Sequence, residues 1–134
     1  MTTGTGYRLN TAADAFARLQ SGVGPWVAIG DFLDDWYVRA PSNQTRLLMV
    51  RDEISAPHSD EETRWASFFA AMVHRLTLEY RLTVPDWVRR PQYVLADPWF
   101  LMPGEPMRAL QLIESPPEFK MRNVFPGDRV LSRA

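Results

Sequence analysis

Seven large apolar residues on one helical stripe constrain this chain more than any other feature. Trp65, Phe68, Phe69, Met72, Val73, Leu76 and Tyr80 recur at i, i+3, i+4, i+7, i+8, i+11 and i+15, which keeps them on one face at 3.6 residues per turn. A helix over Ser59 to Leu82 with that stripe facing the core is therefore predicted. Its start is marked twice. Ser59 and Glu62 form an S-x-x-E capping box, and Asp60, Glu61 and Glu62 place negative charge on the positive end of the helix dipole. Pro85 is the predicted stop, because the residue before a proline is pushed out of helical geometry.

Everything else must wrap that helix. Its reverse face carries Ser67, Ala70, Ala71, His74 and Leu78 instead of a row of charges, which suits either a helix sandwiched inside its domain or one used at an interface. At 134 residues the chain reads as one domain, 1–134, with Met1 to Asn10 a frayed lead-in. The expected fold class is mainly α: a compact helical bundle of about five helices around 59–82, with Pro/Trp-rich loops and at most a small C-terminal hairpin.

Ahead of the central helix, Thr11 caps a helix over Ala12 to Gln20, with Asp14 at N3 and Phe16 and Leu19 inward. Gly22 and Gly24 stop it, and Pro25 starts the next at N1, where a missing N–H costs nothing. Trp26, Ile29, Leu33, Trp36 and Tyr37 form that helix's apolar stripe, which ends near Arg39 before Pro41. Ser42 to Ile54 reads as a third short helix with Leu47, Val50 and Ile54 inward.

After Pro85 the texture changes. Pro85-Asp86-Trp87-Val88-Arg89-Arg90-Pro91 and Asp97-Pro98-Trp99-Phe100 alternate proline with large aromatics, which favours loops packed onto a core. Pro106 opens a helix with Met107, Leu110 and Ile113 on one face. Ser115-Pro116-Pro117-Glu118 is a second S-x-x-E box, predicting a short helix to about Arg122. Pro126-Gly127-Asp128, between Val124-Phe125 and Val130-Leu131, is the turn of the terminal hairpin or of a folded-back tail.

Chemistry is sparse. There is no cysteine, so disulfides and thiolate metal sites are excluded. His58 and His74 stand 16 positions apart, and His74 lies about 180° around the helix from Trp65, a placement that predicts a surface or contact residue. No nucleophile elbow, phosphate loop or zinc motif occurs. The chain is read as a non-enzyme without cofactor or metal. No apolar run approaches the roughly 20 residues needed to span a bilayer, and a cytoplasmic location is expected.

Charge supplies the remaining candidates. Residues 1–62 hold nine acids and five bases, and 63–134 hold seven acids and ten bases, while the whole chain carries a net charge of −1. Asp31, Asp34 and Asp35 sit opposite the apolar stripe of their helix, where they form either a solvated face or a cluster that meets a cation or a partner's arginines. Trp87, Arg89, Arg90 and Trp99 have the composition of interface anchors.

Three stretches carry a family resemblance: Pro25 to Trp36; Val84 to Val88 with Asp97 to Phe100; and Pro117 to Phe119 with Arg122 to Phe125 and Leu131 to Ala134. Together they resemble the C-terminal domain of bacterial helix-turn-helix antitoxin-like regulators encoded beside nucleotidyltransferase-type toxins. The resemblance implies a domain that holds a partner protein, the toxin, and it transfers no catalytic residue. The DNA-binding segment of those regulators precedes this domain, a place taken here by residues 1–21. The alternative is a small transcription-related regulator that contacts nucleic acid through Lys120, Arg122, Arg129 and Arg133. A homo-oligomer remains compatible with either reading.

Overall fold

The computed structural model describes residues 8–132, so Met1–Tyr7 of the lead-in Met1–Asn10, and the terminal Arg133 and Ala134, lie outside the described residues. The architecture is mainly α. Helices α1 (Ala12–Gln20), α2 (Pro25–Asp34), α3 (Asn43–Arg51), α4 (Asp60–Glu79), α5 (Glu105–Glu114) and α6 (Pro117–Lys120) are joined by two-residue strands β1 (Trp99–Phe100) and β2 (Val124–Phe125). A π turn, Asp35–Arg39, extends α2, and 3-10 turns Asp86–Arg89 and Pro91–Tyr93 follow α4.

Helix α4 is the axis, and it is sandwiched. Trp65 to His74 are buried without interruption, along with Leu76 and Thr77, so both faces are covered and only Leu78 and Glu79 emerge near the end. Helix α1 packs on one side, through Phe16 edge-on to Phe69 at 5.3 Å. Helix α6 packs on another, through Phe119 and Phe68 at 5.1 Å. Offset and edge-on rings of this kind add about 0.5–1.5 kcal/mol each beyond the area they bury.

The ends of α4 depart from the reading of its sequence. Ser59 Oγ accepts from the Glu62 amide, but the Glu62 carboxylate reaches past Ser59 to the His58 amide at 2.9 Å and to Gln20 Nε2 at 3.0 Å. The full reciprocal box is found in α1 instead, between Thr11 and Asp14. At the other end the helix stops at Glu79, ahead of Pro85. Arg81 takes a left-handed conformation (φ 57°), and the amides of Arg81 and Leu82 turn back to the carbonyls of Leu78 and Thr77, the two bonds of a Schellman motif.

Four other expectations need correcting. Trp26 is 51% exposed, meeting the core at right angles to Trp65 and Phe68. In α3 the inward residues are Met49 and Val50, followed by Ile54, while Leu47 stays partly exposed. Helix α5 buries Gln111 alone and turns Leu110, Leu112 and Ile113 outward, Ile113 being 74% exposed. Its anchor is polar, because Gln111 Oε1 accepts from the Met102 amide and Nε2 donates to the carbonyls of Met102 and Met107. Finally, Ser115 does not cap α6; its hydroxyl accepts from the Gly127 amide at 2.9 Å.

That last bond also decides the C-terminal topology. With Gly127 (φ 91°) pinned to Ser115, the chain leaves β2 without making a hairpin, and β2 instead pairs in parallel with β1, Trp99 opposite Val124 and Phe100 opposite Phe125. The tail still folds back, and Leu131 is buried.

Candidate functional site

Asp31, Asp34 and Asp35 do not form a solvent-facing cluster. Asp35 is fully buried at the start of the π turn, where its Oδ2 accepts from the Asn10 amide at 2.7 Å and from Asn10 Nδ2 at 3.0 Å, and its Oδ1 meets Arg39 at 3.1 Å. Local geometry explains the shift. Asp35 follows the fully buried Ala28 and Phe32 by seven and three residues, so a regular helical step already sets it on the inward face, which the exposed Trp26 had marked wrongly. The Asp35 carbonyl then accepts from the Ala40 amide five residues on and widens the helix after it. Asp31 is half-buried and paired with Arg18 at 3.0 Å, and Asp34 is half-buried too.

The tryptophan loop divides into two places. Trp99 lies edge-on to Trp65 at 4.9 Å, with the Arg64 guanidinium 6.0 Å from its ring, and borders a concavity lined by Asp60, Thr63, Ala96 and Asp97. Trp87 and Arg90 come together elsewhere, at an open groove of about 550 Å³ between α3 and the segment that follows α4. Leu47, Leu48 and Arg51 line it from α3, Asp52 and Glu53 from the turn beyond, and Thr83, Pro85, Asp86, Trp87 and Arg90 from the opposite wall.

The groove is held in shape by hydrogen bonds at its back. Trp87 is 4% exposed and donates its indole Nε1–H to the Val50 carbonyl at 2.9 Å, which ties the wall to α3. Glu53 receives Arg90 and the Tyr93 hydroxyl, the latter at 2.6 Å. Burial, then the Glu53 carboxylate, pushes the Tyr93 phenol upward, so the hydroxyl stays a donor. Leu48, by contrast, is 56% exposed. The arrangement is a fixed apolar floor with a charged rim, of a size that suits a side-chain anchor or a small molecule.

Behind the same wall lies a buried polar cluster that no sequence signal marked. Arg122 is 2% exposed; one Nη donates to the Glu118 carbonyl at 2.6 Å, and the other to the Val88 carbonyl at 2.8 Å. That second nitrogen also lies 3.2 Å from His74 Nδ1. His74 is 9% exposed, which corrects its assignment to the surface: the α4 face opposite the aromatic stripe is covered by α6 and the Asp86–Arg89 turn. Burial first, and the Arg122 charge second, hold the His74 imidazole below its ordinary range, with Glu118 opposing and Arg89 adding. Burial lowers the Arg122 guanidinium to about 10, so it is a cation at neutral pH. Arg89 itself is exposed.

The C-terminal bases are dispersed by this arrangement. Arg122 is enclosed, Lys120 Nζ donates to the Ile113 carbonyl at 2.9 Å, Arg129 is exposed, and Arg133 lies outside the described residues. Among the described residues no three His, Asp or Glu side chains gather as a metal site, and no helix is long and apolar enough to cross a membrane.

Sequence reasoning found Trp87 and Arg90 but missed Leu47, Leu48 and Glu53. The available signal was a pair of adjacent leucines in a nine-residue helix with Met49 and Val50 beside them, four apolar residues in a row where one face can bury only two. Comparison with known proteins adds nothing to the geometry: no family model, curated protein or solved structure matches the chain.

Proposed function

We propose that this chain is a non-enzymatic protein-binding module, the antitoxin-like partner of a nucleotidyltransferase-type toxin, and that it grips its partner at the Leu47–Trp87 groove. The observation that supports this is the groove's rigidity. Its deepest aromatic is locked by the Val50 carbonyl, its rim acid is locked by Arg90 and Tyr93, and its leucine lip is left open. A preformed concavity of this kind loses little conformational entropy on binding, which is how a small interface reaches useful affinity. Inhibition would be stoichiometric, by covering the partner, since the groove presents ion pairs and leucines and no acid–base pair aligned on a nucleophile. Co-expression with the product of the neighbouring gene tests it. The wild-type chain is expected to co-purify at a fixed ratio, and Leu48→Asp to weaken the complex by roughly tenfold or more with an unchanged melting temperature. Failure of the wild-type chain to retain that product removes the toxin reading.

A further inference from the structure

Behind the bonds to α3, one buried guanidinium also holds the groove wall, through the Val88 carbonyl, and a histidine braces that guanidinium. Arg has donors only, so in the 3.2 Å contact with Arg122 Nη2 the Nδ1 of His74 is an unprotonated lone pair, and the ring proton sits on Nε2. An imidazolium has no lone pair to offer there. It would also set a second cation 3.2 Å from the first, at residues that water scarcely reaches. The charged groups around the ring come from each neighbouring element: Arg122 from the loop before β2, Glu118 from α6 and Arg89 from the Asp86–Arg89 turn. On α4 itself, Arg75 reaches Glu79 at 3.2 Å and Glu118 at 3.5 Å. Glu118 alone of the groups acting on the ring favours its charged form, and it already serves Arg75.

We propose that His74 is a proton-operated latch on the groove: neutral, it holds Arg122 and through it the Val88 carbonyl and the wall Asp86–Arg90; protonated, it lets Arg122 go, so that the wall and the α6–β2 segment loosen together. His74 is a positioning residue in this scheme, acting through Arg122 on a backbone carbonyl. The consequence for partner capture rests on the groove being the docking site, whereas the latch does not. Because the closed state disfavours the charged ring, the latch is shut at neutral pH and opens on acidification. Each unit by which the closed state lowers His74 relative to the open one changes the closed-to-open ratio by about tenfold.

Hydrogen exchange followed by NMR on the full chain, corrected for the intrinsic pH dependence, tests this while the His74 ring is titrated in the same samples. From about pH 7.5 to about pH 4.5, amides of residues 86–90 and 118–125 are expected to speed up by about tenfold or more relative to those of α1, with a midpoint that tracks the His74 ring. In His74→Asn, whose Oδ1 offers Arg122 an acceptor that does not titrate, the acceleration is expected to vanish. The proposal is overturned if those amides stay protected while His74 titrates, if the acceleration persists in His74→Asn, or if the ring does not titrate before global unfolding. Should His74→Asn not fold, coincidence of the two midpoints in the wild-type chain decides alone. A latch that works in a chain that captures no partner leaves this inference standing and removes only the docking reading.

Discussion

The Asp35 carboxylate accepts the backbone N–H of Asn10 at 2.7 Å, a bond across 25 residues that ties the entry of α1 to the π turn after α2. A fully buried carboxylate with two Asn10 donors and an Arg39 partner is an element of the fold, whatever its neighbours Asp31 and Asp34 do.

Asp35→Ala is therefore expected to lose about 2–3 kcal/mol, since charge-assisted bonds are worth about 1.5–3 kcal/mol and the Asn10 amide would be left without its acceptor. Asp31→Lys and Asp34→Lys are expected to cost far less. Urea denaturation of the three single variants separates them; equal losses, or a neutral Asp35→Ala, would show that Asp35 does not anchor α1.

The His74–Arg122 contact makes a second expectation, now for global stability. The folded state holds the His74 imidazole below the ordinary value near 6.5, so between the two values the unfolded chain binds more protons. Stability is then full above about pH 6.5 and declines as the pH falls through and below it, until the folded-state value is also passed. His74→Ala strands a buried Arg122 donor and is expected to cost about 1–3 kcal/mol, well above the roughly 0.5 kcal/mol of an ordinary surface change. Melts of both chains at neutral and acid pH check the sign, with the acid-induced loss smaller in the variant.

How legible all this was depends on the kind of force involved. Apolar periodicity in α4, the Thr11 cap, and Pro25 at the first position of α2 are local signals, and each element appears where they place it. Asp35 was misplaced because the exposed Trp26 marked the wrong inward face for its helix. His74 and Ser115 were misplaced because their partners, Arg122 and Gly127, lie 48 and 12 residues away, and no helical period records such a pairing. Helix α5 failed for the opposite reason. Its apolar spacing is real, but Gln111 makes two hydrogen bonds to the Met102 backbone ahead of the helix, and these fix the rotation of a ten-residue helix against its own hydrophobic pattern.

Arg81 is the clearest place where the sequence accepts a local cost. A left-handed residue at the end of a helix is normally glycine, and a Cβ there is strained. Arg81→Gly is expected to raise stability by about 0.5–1 kcal/mol, some of the relief being returned as greater freedom of the unfolded chain. Thermal melts settle it. A loss of stability would mean that the exposed arginine side chain contributes more at this helix end than the backbone strain removes.

The groove yields the last expectation, which separates shape from surface. Trp87→Phe keeps most of the buried ring but removes the Nε1–H that the Val50 carbonyl accepts at 2.9 Å, leaving that carbonyl short of a partner in a site where Val50 and Trp87 are both buried. About 1–2 kcal/mol should be lost, and the opposite wall, tied to α3 by that bond, should move. Leu48 stands on the lip, more than half exposed, so Leu48→Asp should leave the melting temperature within the range of a surface change while spoiling the floor for any apolar anchor. The two variants thus weaken binding by different routes. Trp87→Phe is expected to lower both stability and capture, whereas Leu48→Asp lowers capture alone. Melting temperature and affinity measured together on the same preparations test this, because a docking site elsewhere on the molecule would leave capture by Leu48→Asp at the wild-type level.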